Sequence, residues 1–129
     1  MNSYLLVDDD EIFNFLHREV IMQIDPQGDV QAFTSSLEAV DYLRSLHAQG
    51  KALPQFIFID IRMPEMNGFE MLEQLMSLPA GVFRHVKIFM LSSSLDEKDE
   101  ERARSYPMVT AFKGKPLSVE ILSEALGSN

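Results

Sequence analysis

Five polar groups in this chain stand at or just beyond the end of an apolar run. Asp8 and Asp9 follow Tyr4–Val7, Asp60 follows Phe56–Ile59, Ser92 follows Val86–Leu91, and Lys115 comes shortly after Val109–Phe112. Three carboxylates brought together repel one another, so they must take up protons or bind a cation. The chain has no cysteine and no suitably placed histidine, so the ligands are oxygens, which select a hard ion such as Mg²⁺. Mg²⁺ keeps several waters and uses one or two carboxylates together with a phosphate oxygen. That leaves a role for a phosphoryl group. The Ser92 hydroxyl and the Lys115 ammonium would hold its remaining oxygens, and Asp60, centred among them, would be the nucleophile. The metal would neutralise charge on the transferring group.

Taken singly, each group has a plainer role. Asp8-Asp9-Asp10-Glu11 suit a helix N-terminus, Ser92-Ser93-Ser94 suit a loop and cap, and Lys115-Pro116 suits a solvated turn. Their shared position is what argues for a site.

The elements that must position them follow from hydrophobic pattern. Phe56–Asp60 has no polar alternation until its final carboxylate, the habit of a parallel strand buried on both faces. Tyr4–Val7, Val30–Phe33, Val86–Leu91 and Val109–Phe112 read as four further strands. Between them apolar residues recur at helical spacing. The first helix carries Ile12, Phe13, Leu16, Val20 and Ile24 and stops at Pro26 and Gly28. The second opens on a Ser35/Glu38 capping box, continues through Leu37, Val40, Leu43 and Leu46 or His47, and closes at Gly50. Phe69, Leu72, Leu75 and Met76 mark the third, stopped by Pro79. Asp96–Ser105 predicts a helix exposed over most of its circumference, and Val119, Leu122 and Leu126 predict a last one capped by Ser118. This βα unit, repeated five times, predicts an α/β fold with a doubly wound, five-stranded parallel sheet and helices on both faces. The strand ends then share one edge, where ligands bind in such sheets.

With 129 residues the chain has room for one domain, residues 1–129, and no linker or repeat interrupts it. The last helix ends close to Asn129, which leaves no room for an output domain. A net charge of −9 argues against nucleic acid and against anionic membranes. A cation, or a basic patch on another protein, is the better partner. Neither a signal peptide nor a transmembrane stretch stands out, so a cytoplasmic location is expected. His17, His47 and His85 lie away from the shared edge and read as structural or surface groups. Asp10 reads as a helix cap.

Leu6-Val7-Asp8-Asp9, Ile59-Asp60-Ile61-Arg62-Met63-Pro64-Glu65-Met66-Asn67-Gly68, Leu91-Ser92-Ser93 and Lys115-Pro116 resemble the signature of the receiver domains of two-component response regulators. The resemblance covers essentially the whole chain. It implies the flavodoxin-like strand order 2-1-3-4-5. It implies that Asp60 is the phosphoacceptor, charged by phosphohistidine on a sensor histidine kinase or a histidine phosphotransfer protein. Asp8, Asp9, Asp60 and the backbone carbonyl of Arg62 would hold Mg²⁺. Ser92 and Lys115 would bind the phosphoryl oxygens, Phe112 would be an aromatic switch coupled to Ser92, and the small Ser93 would leave room for the motion. Arg62 and Ser94 would tune dephosphorylation. Such a domain catalyses its own phosphorylation and slow dephosphorylation without being a conventional enzyme. It would act alone, as monomer or weak homodimer, on a downstream protein.

Two departures stand out. Serine replaces the commoner threonine at Ser92, and Phe112 lacks the hydroxyl that tyrosine would bring. These keep open a phosphorylation-independent protein-binding module. A Mg²⁺-dependent phosphohydrolase with an aspartyl intermediate is a third possibility, but Arg62 stands two residues after Asp60, where a second carboxylate would be needed as general acid.

Overall fold

The computed structural model describes residues 2–127. In chain order the elements are β1 (Ser3–Val7), α1 (Glu11–Ile24), β2 (Asp29–Phe33), α2 (Ser36–Ala48), β3 (Phe56–Asp60), α3 (Gly68–Leu75), a 3₁₀ turn (Ala80–Phe83), β4 (Lys87–Ser92), α4 (Glu97–Arg104), β5 (Val109–Gly114) and α5 (Val119–Ala125). All strands are parallel, in the order β2-β1-β3-β4-β5. This is the order that the resemblance implied.

The central strands lack polar alternation because both faces are covered. Leu5, Val7, Ile57, Ile59, Ile88 and Met90 point to one core, which Val40, Leu43, Phe69 and Leu72 of α2 and α3 complete. Tyr4, Leu6, Phe58, Phe89 and Leu91 point to the other, against Ile21 of α1 and Leu122 of α5. Burying each of these aliphatic or aromatic side chains contributes roughly 1.5–3 kcal/mol. No helix among the described residues is long and apolar enough to cross a membrane.

Helix α1 is rotated relative to its apolar pattern. Ile12, Phe15 and Leu16 are 68%, 60% and 40% exposed, while Asn14, His17 and Ile21 are buried. Hydrogen bonds set this phase. Asn14 Nδ2 donates to the carbonyls of Asp8 (3.0 Å) and Phe33 (3.2 Å), and His17 Nε2 accepts from the Leu117 amide (3.1 Å). A buried polar group left unpaired costs about 1–3 kcal/mol, as much as exposing an aliphatic side chain, so such bonds can set which face turns inward. Leu37 is exposed for a similar reason: its neighbour Ser36 turns inward and donates to the Met66 carbonyl at 2.7 Å. Met76 and Val119 also face outward, Met76 lying just beyond the last residue of α3.

The caps are largely as the residue types require. Asp10, Ser35 and Ser118 each accept from an amide in the first turn of their helix. Ser35 and Glu38 form only half of a capping box; the reciprocal box belongs to Asn67 and Glu70 at the start of α3. Helix α4 is as exposed as its composition predicts, with Ala103 its one buried residue.

Candidate functional site

Register brings the polar strand ends together. Val7 pairs with Ile59, so Asp8 lies beside Asp60, and Asp60 pairs with Leu91, one residue before Ser92. Both β4 and β5 outrun their apolar stretches, and Ser92 pairs with Gly114 as the last step of the ladder. The Lys115 amide then donates to the Ser92 carbonyl at 2.9 Å. The loop after β3 folds back over the strand end. The Gly68 amide donates to the Ile61 carbonyl, and a β-carbon at Gly68 would fall 2.6 Å from the Asp60 carbonyl oxygen. Only glycine permits that approach.

Asp8, Asp9 and Asp60 each offer a carboxylate oxygen, and these lie within 4.8 Å of one another. Asp8 and Asp60 are buried; Asp9 is exposed. Asp8 Oδ1 accepts from the Asp10 amide at 2.9 Å, which leaves Oδ2 facing Lys115. The Lys115 Nζ is 2.8 Å from Asp8 Oδ2 and 3.3 Å from Asp60 Oδ1. Asp60 Oδ1 also accepts from the Arg62 amide at 3.4 Å. Neither contact uses Asp60 Oδ2.

The electrostatics follow from this arrangement. Burial, and then the charge of Asp8, push the Asp60 carboxyl from 3.8 up to about 6, against the opposing pull of Lys115. Burial alone would lower Lys115. The hydrogen bond to Asp8 and the charges of Asp60 and Asp8 outweigh it, and the ammonium titrates above its ordinary value. The site is thus short of positive charge. Its ligands are all oxygens, two of them on carboxylates nearly sealed from water. Such a set fits a hard divalent cation and can hold one.

Several groups that pattern alone did not mark serve this site. Phe13 presents its ring face to the Lys115 ammonium, 4.0 Å from Nζ to the ring centroid. Asn14 ties the Asp8 carbonyl to β2. His17 is structural, as expected, but it is not remote: by accepting from Leu117 it fixes the loop that carries Lys115. Burial, and then the Lys115 charge, hold its imidazole down at about 4, so it stays neutral. The available signal was the Phe13/His17 spacing of four on one helix, which places the two rings 6.0 Å apart.

Other predicted groups stand apart. The Ser92 hydroxyl is turned onto its own loop, donating to the Ser94 carbonyl and accepting from the Ser94 amide. Phe112, partly buried, packs against the α2–α3 core and lines a cleft of about 240 Å³ with Glu100, Ala103 and Arg104 of α4. The Arg62 guanidinium leaves the carboxylates and pairs with Asp99 of α4 at 2.8 Å.

Residues 4–126 match the family model described as the response regulator receiver domain. The chain belongs to that family. The polar-differentiation response regulator DivK of Brucella ovis is 31% identical over 127 residues, covering 98% of this chain and 94% of that protein. A two-component response regulator from Cytophaga hutchinsonii has a solved structure with TM-score 0.89 and 33% identity, covering 98% of this chain and 95% of the other. A response regulator receiver protein from Dyadobacter fermentans follows at TM-score 0.84 and 31% identity, with 98% and 95% covered. The receiver fold and the two-component class are therefore established for this chain. A receiver domain implies interaction with histidine kinases or phosphotransfer proteins and with downstream targets.

Proposed function

We propose that this receiver acts as a cytoplasmic response-regulator domain that carries a phosphoryl signal on Asp60. The observation that carries the proposal is the pairing of one buried ammonium with two buried carboxylates at the end of the central strand. Asp60 Oδ2, which takes no part in that pairing, is the attacking oxygen. As its bond to phosphorus forms, the P–N bond of the donor phosphohistidine breaks. The electron pair stays on the imidazole nitrogen, and the ring, protonated at its other nitrogen, leaves neutral.

Lys115 is already charged and desolvated beside Asp60, so it needs little reorganisation to pair with a phosphoryl oxygen. Phe13 keeps a face of negative potential against the ammonium as its partner changes. Asp8 and Asp9, with Asp60 and the Arg62 carbonyl, would hold Mg²⁺, which supplies charge neutralisation on the transferring phosphoryl group. Ser92 exchanges its bond to the Ser94 carbonyl for one to a phosphoryl oxygen, and Phe112 follows it inward. Ser94, whose backbone holds Ser92 in the resting position, would thereby affect the phosphoryl lifetime, as would Arg62. A decisive shift of such a two-state element needs about 5 kcal/mol. A charge-assisted hydrogen bond of roughly 1.5–3 kcal/mol from Ser92, together with one from Lys115, is of that size.

The test is beryllofluoride binding followed by amide NMR. With Mg²⁺, shifts at Asp60, Ser92 and Lys115 that reach Phe112 are expected. A folded sample that shows no Mg²⁺-dependent shifts at these residues would overturn the proposal.

A further inference from the structure

Arg62 joins the phosphoacceptor to the N-terminal end of α4, a short and largely exposed helix. Its amide donates to Asp60 Oδ1 at 3.4 Å, and its guanidinium pairs with Asp99 in the first turn of α4 at 2.8 Å. The backbone and side chain of one residue thus touch the reacting carboxylate and α4.

Helix α4 is eight residues long and buries only Ala103. It lies along β5, and its attachments to α3 are polar or aromatic. The Arg102 guanidinium lies 4.4 Å over the Phe69 ring, and Tyr106, just past the helix, stacks on the same ring at 6.0 Å. Those contacts hold the C-terminal end of α4 to α3. For the N-terminal end, the tie across to the β3–α3 loop is Arg62–Asp99. In the same turn Glu100 pairs with Arg104 at 2.8 Å, so Asp99 is the acid of this turn that is tied to a residue outside the helix.

We propose that Arg62 is a positioning residue shared between two anions: Asp99 in the resting domain and the phosphoryl group in the phosphorylated one. The proposal rests on Asp60 being the phosphoacceptor and adds how phosphorylation reaches α4. Charge favours the exchange. With a divalent cation bound, the charges of Asp8, Asp9, Asp60 and Lys115 balance, and nothing in the site competes with Asp99. Phosphorylation replaces one carboxylate charge with about two on the phosphoryl group, leaving the site net negative. A guanidinium is suited to a phosphate because its fork of N–H groups matches two oxygens. Arg62 hangs from the strand end that carries the phosphate, on an arm long enough to serve either anion. When it turns inward, the first turn of α4 loses its tie, beside the cleft lined by Phe112. Arg62 would so complement Ser92 and Phe112: the hydroxyl acts through the strand, the guanidinium through the helix.

Linkage makes this testable. Asp99 competes with the phosphoryl group for Arg62, so removing Asp99 should strengthen binding of a phosphoryl mimic, while removing the guanidinium should weaken it. Beryllofluoride affinity in Mg²⁺ is measured for wild type, Asp99→Asn and Arg62→Gln, with hydrogen exchange of residues 97–104 followed in each. Asp99→Asn should bind several-fold more tightly than wild type and Arg62→Gln several-fold more weakly. Exchange in the first turn of α4 should rise several-fold when wild type binds beryllofluoride, and should be as fast in unliganded Asp99→Asn. A merely structural ion pair would shift affinity the same way in both variants. That result, or an α4 exchange rate in unliganded Asp99→Asn equal to wild type, overturns the shared-arginine proposal while leaving Asp60 as the acceptor. Failure of wild type to bind beryllofluoride at all overturns the acceptor assignment instead; the exchange comparison without ligand still judges the Arg62–Asp99 tie.

Discussion

Lys115 and Asp8 form an ion pair of 2.8 Å in which the two side chains retain only 6% and 4% of their exposure. So little water reaches the pair that removing one partner does not return the other to solvent. Breaking a buried pair in this way costs about 3–5 kcal/mol. Here the loss would leave Asp8 and Asp60 facing each other without compensation.

Lys115→Met should therefore destabilise the domain by about 3 kcal/mol near pH 7.5, read from urea denaturation. Part of the loss should return near pH 5, where Asp60 takes up a proton, and part on adding Mg²⁺. Equal stability of the variant and wild type at pH 7.5 would mean that the pair contributes nothing.

Asp60→Asn should stabilise the metal-free domain at neutral pH. The folded carboxyl titrates at about 6 against 3.8 ordinarily, so the native state holds its proton more tightly than the unfolded chain does. Stability from that proton is fully present below about pH 4 and is lost as pH rises through about 6. The substitution removes this loss, worth on the order of 3 kcal/mol, and its advantage should vanish by pH 4. Unfolding curves at pH 4 and 7.5 compare the two.

His17 has the opposite sign. Its folded value, lowered from 6.5 to about 4, makes protonation favour the unfolded chain. The stability of the neutral imidazole is present above about pH 6.5 and falls as pH drops toward 4. In wild type the two groups oppose each other across this window. In Asp60→Asn, stability should fall on acidification from pH 6.5, and adding His17→Gln should flatten that slope.

Gly68→Ala should cost about 2–3 kcal/mol, the upper part of the range for forcing extra atoms into a packed place. The new methyl would meet the Asp60 carbonyl at 2.6 Å and the Met90 side chain at 2.9 Å, and the backbone of β3 cannot yield as a side-chain tip can. The same displacement should slow phosphorylation by acetyl phosphate, because it moves the residue that carries the nucleophile.

Strands and site were legible for one physical reason. In a parallel sheet covered on both faces, the polar residues that interrupt apolar runs collect at one edge. Asp8, Asp60 and Lys115 could thus be placed together from position alone, and the structure brings them within hydrogen-bonding reach. Helix faces were less legible. Ile12 and Leu16 fit the helical period of α1, yet Asn14 and His17 take the inner face, because their value lies in hydrogen bonds to Phe33 and Leu117, far away in sequence. Apolar periodicity carries no trace of such partners. Arg62 shows the same limit. Its place two residues after Asp60 was visible; its partner Asp99, 37 residues on, depends on how α4 docks.

The most direct test of the account is transfer of a phosphoryl group to the protein itself. Wild type and Asp60→Asn are incubated with acetyl phosphate in Mg²⁺, with a chelator control, and their intact masses are followed. The account predicts that wild type gains one phosphoryl group, mapped to Asp60, that the chelator abolishes the gain, and that Asp60→Asn gains none there. Equal labelling of Asp60→Asn, or labelling of wild type that is indifferent to Mg²⁺, would contradict it.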